Sequence, residues 1–185
     1  MTFAELFDKH GSLKQYEVGY GPVYDEVLQG MAVREVLEIG VKQGASLLAW
    51  AEEFPEAQIV GVDNFAEGVE ASAACQAHPR IRLIRANSTA PATRALLGAV
   101  LFDLIVDDGS HTVRDQLATL ANFLPVMSPT GVYVVEDITS DENGEQLLAS
   151  AREAGFAARM VRSDTPPPFV NTYDNRLVII RGPRA

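Results

Sequence analysis

Apolar positions in this chain fall into two alternating kinds of run. Short runs rich in Val, Ile and Leu cover 36–39, 58–62, 81–85, 102–106, 132–135 and 177–180, and a further strand-like run covers 156–162. Between them, 45–53, 68–77, 92–100, 113–126 and 142–154 read as helical stretches. A continuous apolar run suits a strand buried on both faces, and strand–helix–strand alternation joins such strands in parallel. The pattern predicts an α/β fold: a doubly wound, mostly parallel seven-stranded sheet. The last two runs have no helical pattern between them, so the C-terminal strand is expected to return antiparallel, as a hairpin-like edge.

Residues 1–30 read as a helical lead-in to a single domain over 31–185. Tyr16, Tyr20 and Tyr24 sit there at helical spacing, as a packed stripe or as a lid over a ligand. The run Pro166-Pro167-Pro168 reads as a rigid surface loop.

Composition narrows the classes. A chain of 185 residues, 47% of them hydrophobic, fits one packed domain. No apolar run approaches a membrane span, and the N-terminus has no signal-peptide core. The single cysteine, Cys75, cannot pair within the chain, so a reducing, cytoplasmic location is the default. A formal net charge of −10 disfavours nucleic acid as a partner. Part of that acidity lies in Asp-Asp and Glu-Asp pairs, which suit a cation.

The acids stand at strand ends: Glu38, Asp63, Asp107 and Asp108, Glu136 and Asp137. In open α/β sheets ligands bind beyond the carboxyl ends of the strands. The first such end reads Glu38-Ile39-Gly40-Val41-Lys42-Gln43-Gly44-Ala45-Ser46. Gly40 and Gly44 would let the backbone approach a ligand closely. Asp63, about twenty residues on, is placed to bind ribose hydroxyls. Dinucleotide folds want G-x-G-x-x-G here, to seat a pyrophosphate on a helix N-terminus. The spacing is instead G-x-x-x-G behind an acid. Glu38 would repel pyrophosphate but could help hold the ammonium of a methionine moiety, and the E-x-G-x-x-x-G spacing resembles the signature of class I methyltransferases. Asn87 and Ser88 follow the third strand, at an adenine edge or as a helix cap.

Val106-Asp107-Asp108-Gly109-Ser110-His111 and Val135-Glu136-Asp137-Ile138 end two strands expected to be neighbours. Carboxylates crowded there repel one another, and a hard divalent cation such as Mg²⁺ relieves the repulsion. Such an ion acidifies a bound hydroxyl. His111 is then placed to take the proton, with Asp108 beside it. Each residue also has a plainer reading: Asp108-Gly109 as a turn, His111 as a helix cap, Glu136 and Asp137 as a solvated strand end. Four other residues read as structural. His78 is a surface turn residue and His10 lies in a loop near the cleft mouth. Cys75 and Trp50 read as packing.

The segments LEIGVKQGASLLAW, IVGVD, FDLIVDDGSH and YVVEDI resemble the macrocin and mycinamicin sugar O-methyltransferases and their cephalosporin-type relatives. The resemblance implies a Rossmann-like class I fold that transfers a methyl group from S-adenosylmethionine to a hydroxyl. It implies that Asp108, Glu136 and Asp137 bind Mg²⁺ and that His111 is the general base. It places Glu38, Gly40, Asp63 and Asp107 around the cofactor. Relatives often carry G-T-D-K near the N-terminus, where this chain has Gly11-Ser12-Leu13-Lys14.

The expected acceptor is a small-molecule hydroxyl on a sugar or polyhydroxylated natural product. A catechol-like diol is the alternative, with the loop at Pro166–Phe169 supplying an aromatic slot. A protein that binds S-adenosylmethionine without turnover is a third reading. The glycine spacing disfavours an NAD-dependent oxidoreductase. The sequence leaves a homo-oligomer open.

Overall fold

The computed structural model describes residues 1–16, 18–163 and 175–182, Tyr16 by its backbone only. The proline run and the loop at Pro166–Phe169 lie outside the described residues. Three short helices lead in: α1 (Phe3–His10), α2 (Leu13–Tyr16) and α3 (Gly21–Val27). Then follow β1 (Glu35–Ile39), α4 (Ala45–Glu53), β2 (Gln58–Asp63), α5 (Ala73–Gln76), β3 (Ile81–Arg85), α6 (Ala92–Ala95) and β4 (Phe102–Asp107). The chain continues through α7 (Val113–Phe123), β5 (Met127–Val135), α8 (Asp141–Glu153), β6 (Ala157–Arg162) and β7 (Arg176–Arg181).

The seven strands form one sheet in the order β3-β2-β1-β4-β5-β7-β6. The first five pair in parallel, and β7 runs antiparallel to both β5 and β6. The expected mixed sheet is present, with one refinement. The antiparallel strand β7 is inserted between β5 and β6, so β6 forms the edge. Leu177 to Ile180 are almost wholly buried, as an interior strand requires, whereas β6 alternates exposed and half-buried positions.

Several helices are shorter than their apolar spacing predicts. The 68–77 stretch is helical only over Ala73–Gln76, because Gly68 turns left-handed (φ 73°) and Ser72 caps the helix. The 92–100 stretch stops at Ala95, ahead of the left-handed Gly98 (φ 78°). The 113–126 stretch tightens to a 3₁₀ turn over Leu124–Val126, which holds Pro125. The lead-in is likewise broken at Gly11 (φ 72°) and Gly19 (φ 66°). Tyr16, Tyr20 and Tyr24 therefore do not share one helix. Among the described residues, no helix is long and apolar enough to cross a membrane.

One core face packs the lead-in against the sheet. Phe3, Phe7, Tyr24 and Trp50 form a buried aromatic cluster with ring centroids 5.0–5.9 Å apart. Rings at such spacing add roughly 1 kcal/mol per pair beyond their area burial. The cluster fastens α1 and α3 to α4, and so fixes the α1–α3 connection over the carboxyl ends of β1, β4 and β5.

Candidate active site

The register of the central strands brings the acidic pairs together. Ile39 pairs with Asp107 and Val135 with Asp107 across β1–β4–β5. Beyond the last rungs, the Asp108 N–H donates to the Ile39 carbonyl at 2.8 Å, and the Glu136 N–H to the Asp107 carbonyl at 2.9 Å. Asp108, Glu136 and Asp137 thus leave the sheet side by side, at the rim of a cavity of ≈ 670 Å³.

That rim is also built from the lead-in, by residues absent from the sequence-derived site. Lys14 is buried, with its Nζ 2.6 Å from Asp108 Oδ2, 3.4 Å from Glu38 Oε1 and bonded to Glu136 Oε2. The Tyr24 hydroxyl donates to Glu136 Oε1. The Tyr20 hydroxyl donates to Asp137 Oδ1 at 2.7 Å. Each of the three carboxylates is therefore held by a side chain more than ninety residues away in sequence. Tyr20 and Tyr24 are packed, 0% and 1% exposed. Tyr20 lines the cavity, whereas Tyr24 lies in the aromatic cluster behind it and reaches the site only through its hydroxyl.

His111 lies with Nε2 3.5 Å from both Asp108 Oδ1 and Asp137 Oδ2. Thr112, not His111, caps α7, accepting from the Asp115 N–H, so the capping reading of His111 does not hold. Asp108, His111 and Asp137 each offer a ligand atom, and those atoms lie within 4.8 Å of one another. This is a donor set a hard or borderline divalent cation fits. Glu136 lines the cavity but is 1% exposed, its carboxylate taken up by Lys14 and Tyr24. It is not a solvated strand end.

Burial sets the protonation of these groups. It pushes Asp137 up to about 6, with the neighbouring Asp108 charge adding to the effect. It pushes Glu136 well above the usual carboxylate range against the opposing pull of Lys14. At Asp108 burial acts the same way, but Lys14 and His111 outweigh it and hold the carboxyl low. Lys14 stays charged: its burial is outweighed by the carboxylates of Asp108, Glu136 and Glu38.

The glycine turn forms another wall of the same cavity. Asp63 Oδ2 accepts from the Val41 and Lys42 N–H groups at 2.7 and 3.0 Å, and Oδ1 from Phe65 N–H at 2.6 Å. Asp63 so ties the ends of β1 and β2 together while facing the cavity. Ser46, Asn87 and Ser88 line it too. Neither Asn87 nor Ser88 caps α6, whose N-cap is Pro91. Asn87 Oδ1 accepts from Thr89, and the Ser88 hydroxyl meets Thr119.

Three residues assigned to the cofactor from sequence are placed differently. Glu38 is wholly buried and absent from the cavity lining; Ser46 and Trp50 donate to its two oxygens at 2.5 Å each. Asp107 is 1% exposed beneath Gly109, with Oδ2 unpartnered, and burial pushes it up to about 7. At Gly44 a side chain would strike Cys75. Gly40, which does line the cavity, has φ 86°, and a Cβ there would collide with the Asp108 backbone carbonyl. The room these glycines leave is filled by the protein itself, and it lets the glycine turn touch the Asp108 strand end.

Among the described residues, the left-handed non-glycines are Lys42, Phe65 and Asp137, and all three line the cavity. Strain of this kind gathers at ligand sites. The remaining candidates behave as packing or surface groups. Cys75 is buried with its thiol pushed up to about 11 by burial. His10 ends α1 and pairs with Glu52 at 2.9 Å. His78 accepts from the Arg80 N–H in a turn.

The sheet order, with β7 inserted antiparallel, and a cavity over the carboxyl ends of β1, β2 and β4 define a class I methyltransferase fold. Residues 37–138 match the Methyltransferase domain family, and the chain belongs to that family. It is 30% identical over 152 residues to 8-demethyl-8-alpha-L-rhamnosyl tetracenomycin-C 2'-O-methyltransferase of Streptomyces olivaceus, covering 73% of this chain and 37% of that one. It is 32% identical over 130 residues to mycinamicin VI 2''-O-methyltransferase of Micromonospora griseorubida, covering 64% of this chain and 31% of that one. A methyltransferase from the mycinamycin biosynthetic pathway, solved in complex with Mg, SAH and mycinamycin VI, superposes with a TM-score of 0.74. The two share 21% identity over 100% of this chain and 55% of that one. The chain thus spans about a third of the length of these curated relatives.

Proposed function

We propose that this chain carries the catalytic core of an S-adenosylmethionine-dependent O-methyltransferase. Its acceptor would be a hydroxyl on a small-molecule sugar or polyhydroxylated natural product. The observation that carries the reading is the convergence of Asp108, His111 and Asp137 on the cavity that the glycine turn and Asp63 also line. The family and the relatives' named activities support the same class.

When bound, S-adenosylmethionine would supply an electrophilic methyl group on a sulfonium, and a divalent cation such as Mg²⁺ would acidify the acceptor hydroxyl. The chain's own residues do the rest. Asp63, Asn87 and Ser88 present acceptors to the ribose and adenine end. Gly40 lets the backbone turn beside Asp108, so that donor and acceptor lie in one cavity. Asp108, Glu136 and Asp137 are the carboxylates proposed to hold the cation, Asp108 and Asp137 facing the cleft most directly. His111 is proposed to take the acceptor's proton and, 3.5 Å from two carboxylates, is stabilised as it becomes charged. Glu38 is proposed to act from beneath, by orienting Ser46 and Lys14. Holding acceptor and methyl donor in one cavity would bring the reacting atoms into line, which spares the entropy of bringing them together.

The test is calorimetric titration of S-adenosylhomocysteine with and without Mg²⁺, followed by methyl transfer to a rhamnosylated polyketide. Micromolar binding (roughly −8 kcal/mol) together with Mg²⁺-dependent transfer is expected. Binding without transfer to any hydroxylated acceptor would point to the non-catalytic alternative. Tight binding of NAD instead would overturn the class.

A further inference from the structure

Lys14 is the least expected member of the site. It comes from the short helix α2 between α1 and α3, is 5% exposed, and places one ammonium among Glu38, Asp108 and Glu136. An ammonium has three donors and no acceptor, so three carboxylates are as many as it can bind directly. Its position is held by the backbone: the Tyr20 N–H donates to the Lys14 carbonyl at 2.8 Å. Burying a lysine is costly unless it is fully paired, so this placement has to serve the charges around it.

Glu38, Asp108, Glu136 and Asp137 together bring four acidic groups to one strand-end cluster, and Lys14 balances one of them. The cluster's open side, between Asp108 and Asp137 and beside the proposed base His111, is where the proposed divalent ion would sit. We propose that Lys14 is an internal counter-cation of the metal site: a positioning residue that gathers Asp108 and Glu136 from behind and shares their charge with the ion in front. This rests on the cation reading of the preceding subsection. It predicts that Lys14 and the ion partly substitute for one another, so that the protein without Lys14 leans more heavily on the metal.

The experiment is a set of thermal melts, in EDTA and in MgCl₂, of the wild type, Lys14→Met, Lys14→Arg and the double variant Lys14→Met with Glu136→Gln. In EDTA the Met variant should melt about 10 °C lower, since it leaves buried carboxylates without their partner. Mg²⁺ should raise its melting temperature by more than it raises the wild type's. The Arg variant should stay near wild type, and adding Glu136→Gln should recover much of the loss in EDTA. A Met variant weakened equally in EDTA and Mg²⁺, or not rescued by Glu136→Gln, would overturn the proposal. If the Met variant is unfolded in EDTA, refolding with Mg²⁺ or with Glu136→Gln supports it, and failure of both overturns it. A wild type whose melting ignores Mg²⁺ would instead sink the cation reading, and the EDTA comparison would still judge Lys14 as the carboxylates' partner.

Discussion

Tyr20 and Asp137 grip one another twice. The phenol donates to Asp137 Oδ1 at 2.7 Å and accepts from the Asp137 N–H at 3.3 Å. Asp137 is held at φ 54°, a left-handed conformation that costs a non-glycine residue on the order of 1 kcal/mol. The pair of bonds offsets that strain and aims the carboxylate into the cleft. Tyr20→Phe keeps the ring and removes both bonds. It should lower stability by about 1–2 kcal/mol and weaken Mg²⁺ binding as Asp137 relaxes. Melting and calorimetry read the two effects, and no change in either would remove Tyr20 from the site.

His111→Ala should separate chemistry from binding. Loss of a positioned base costs about 10²–10⁴-fold in rate. His111 contributes no backbone to the glycine turn or to Asp63, so S-adenosylhomocysteine binding should be nearly unchanged. Equal loss of turnover and binding, measured side by side, would show that His111 holds the site together instead of acting on the acceptor.

Gly40→Ala tests whether the glycine turn serves the strand end rather than the ligand alone. The new methyl would meet the Asp108 carbonyl in a left-handed turn. A loss of roughly 2–4 kcal/mol is expected, with cofactor and cation binding falling together. Gly68→Ala is the control. It is also left-handed but has open space around it, so only the backbone cost of about 1 kcal/mol should appear. Similar losses at both positions would refute the contact argument.

The buried acids give a pH signature. Asp137 and Asp107 are raised to about 6 and about 7. The folded protein keeps these protons where the unfolded chain has already lost them. Their contribution to stability is therefore complete below the ordinary carboxylate range, declines as pH rises through about 6 to 7, and is absent above. Mg²⁺ requires the deprotonated carboxylate at Asp137, so its stabilising effect should run the other way, growing with pH across the same window. Melts in EDTA and in MgCl₂ between about pH 5 and 8 should converge at the acid end. A Mg²⁺ effect independent of pH would place the ion elsewhere.

The strands were legible because a buried parallel strand reads as a mostly apolar run, and Val36–Ile39, Ile59–Val62 and Leu104–Val106 do so. The acids at or next to the ends of β1, β2, β4 and β5 stood out because, Asp103 apart, no other charge interrupts those runs. Helix lengths were less legible. Gly68 and Gly98 bound the helices beside them through a backbone turn that apolar spacing does not register. Glu38 and Asp107 were visible as strand-end acids, but their depth was not. Spacing alone cannot distinguish an acid that faces a ligand from one that Ser46 and Trp50 cover.

Taken alone, the sequence determined a mostly parallel seven-stranded sheet with an antiparallel C-terminal strand, and the meeting of Asp108, Glu136 and Asp137 at neighbouring strand ends. Local periodicity and the rule that ligands sit beyond strand ends suffice for these. Only the tertiary structure decided which side chains hold those acids. Lys14, Tyr20 and Tyr24 lie 94 to 122 residues from their partners. A lysine in a polar turn and two tyrosines in a helical stretch carry no mark of such contacts. They acquire their roles when an aromatic cluster around Trp50 draws the lead-in helices down over the open end of the sheet.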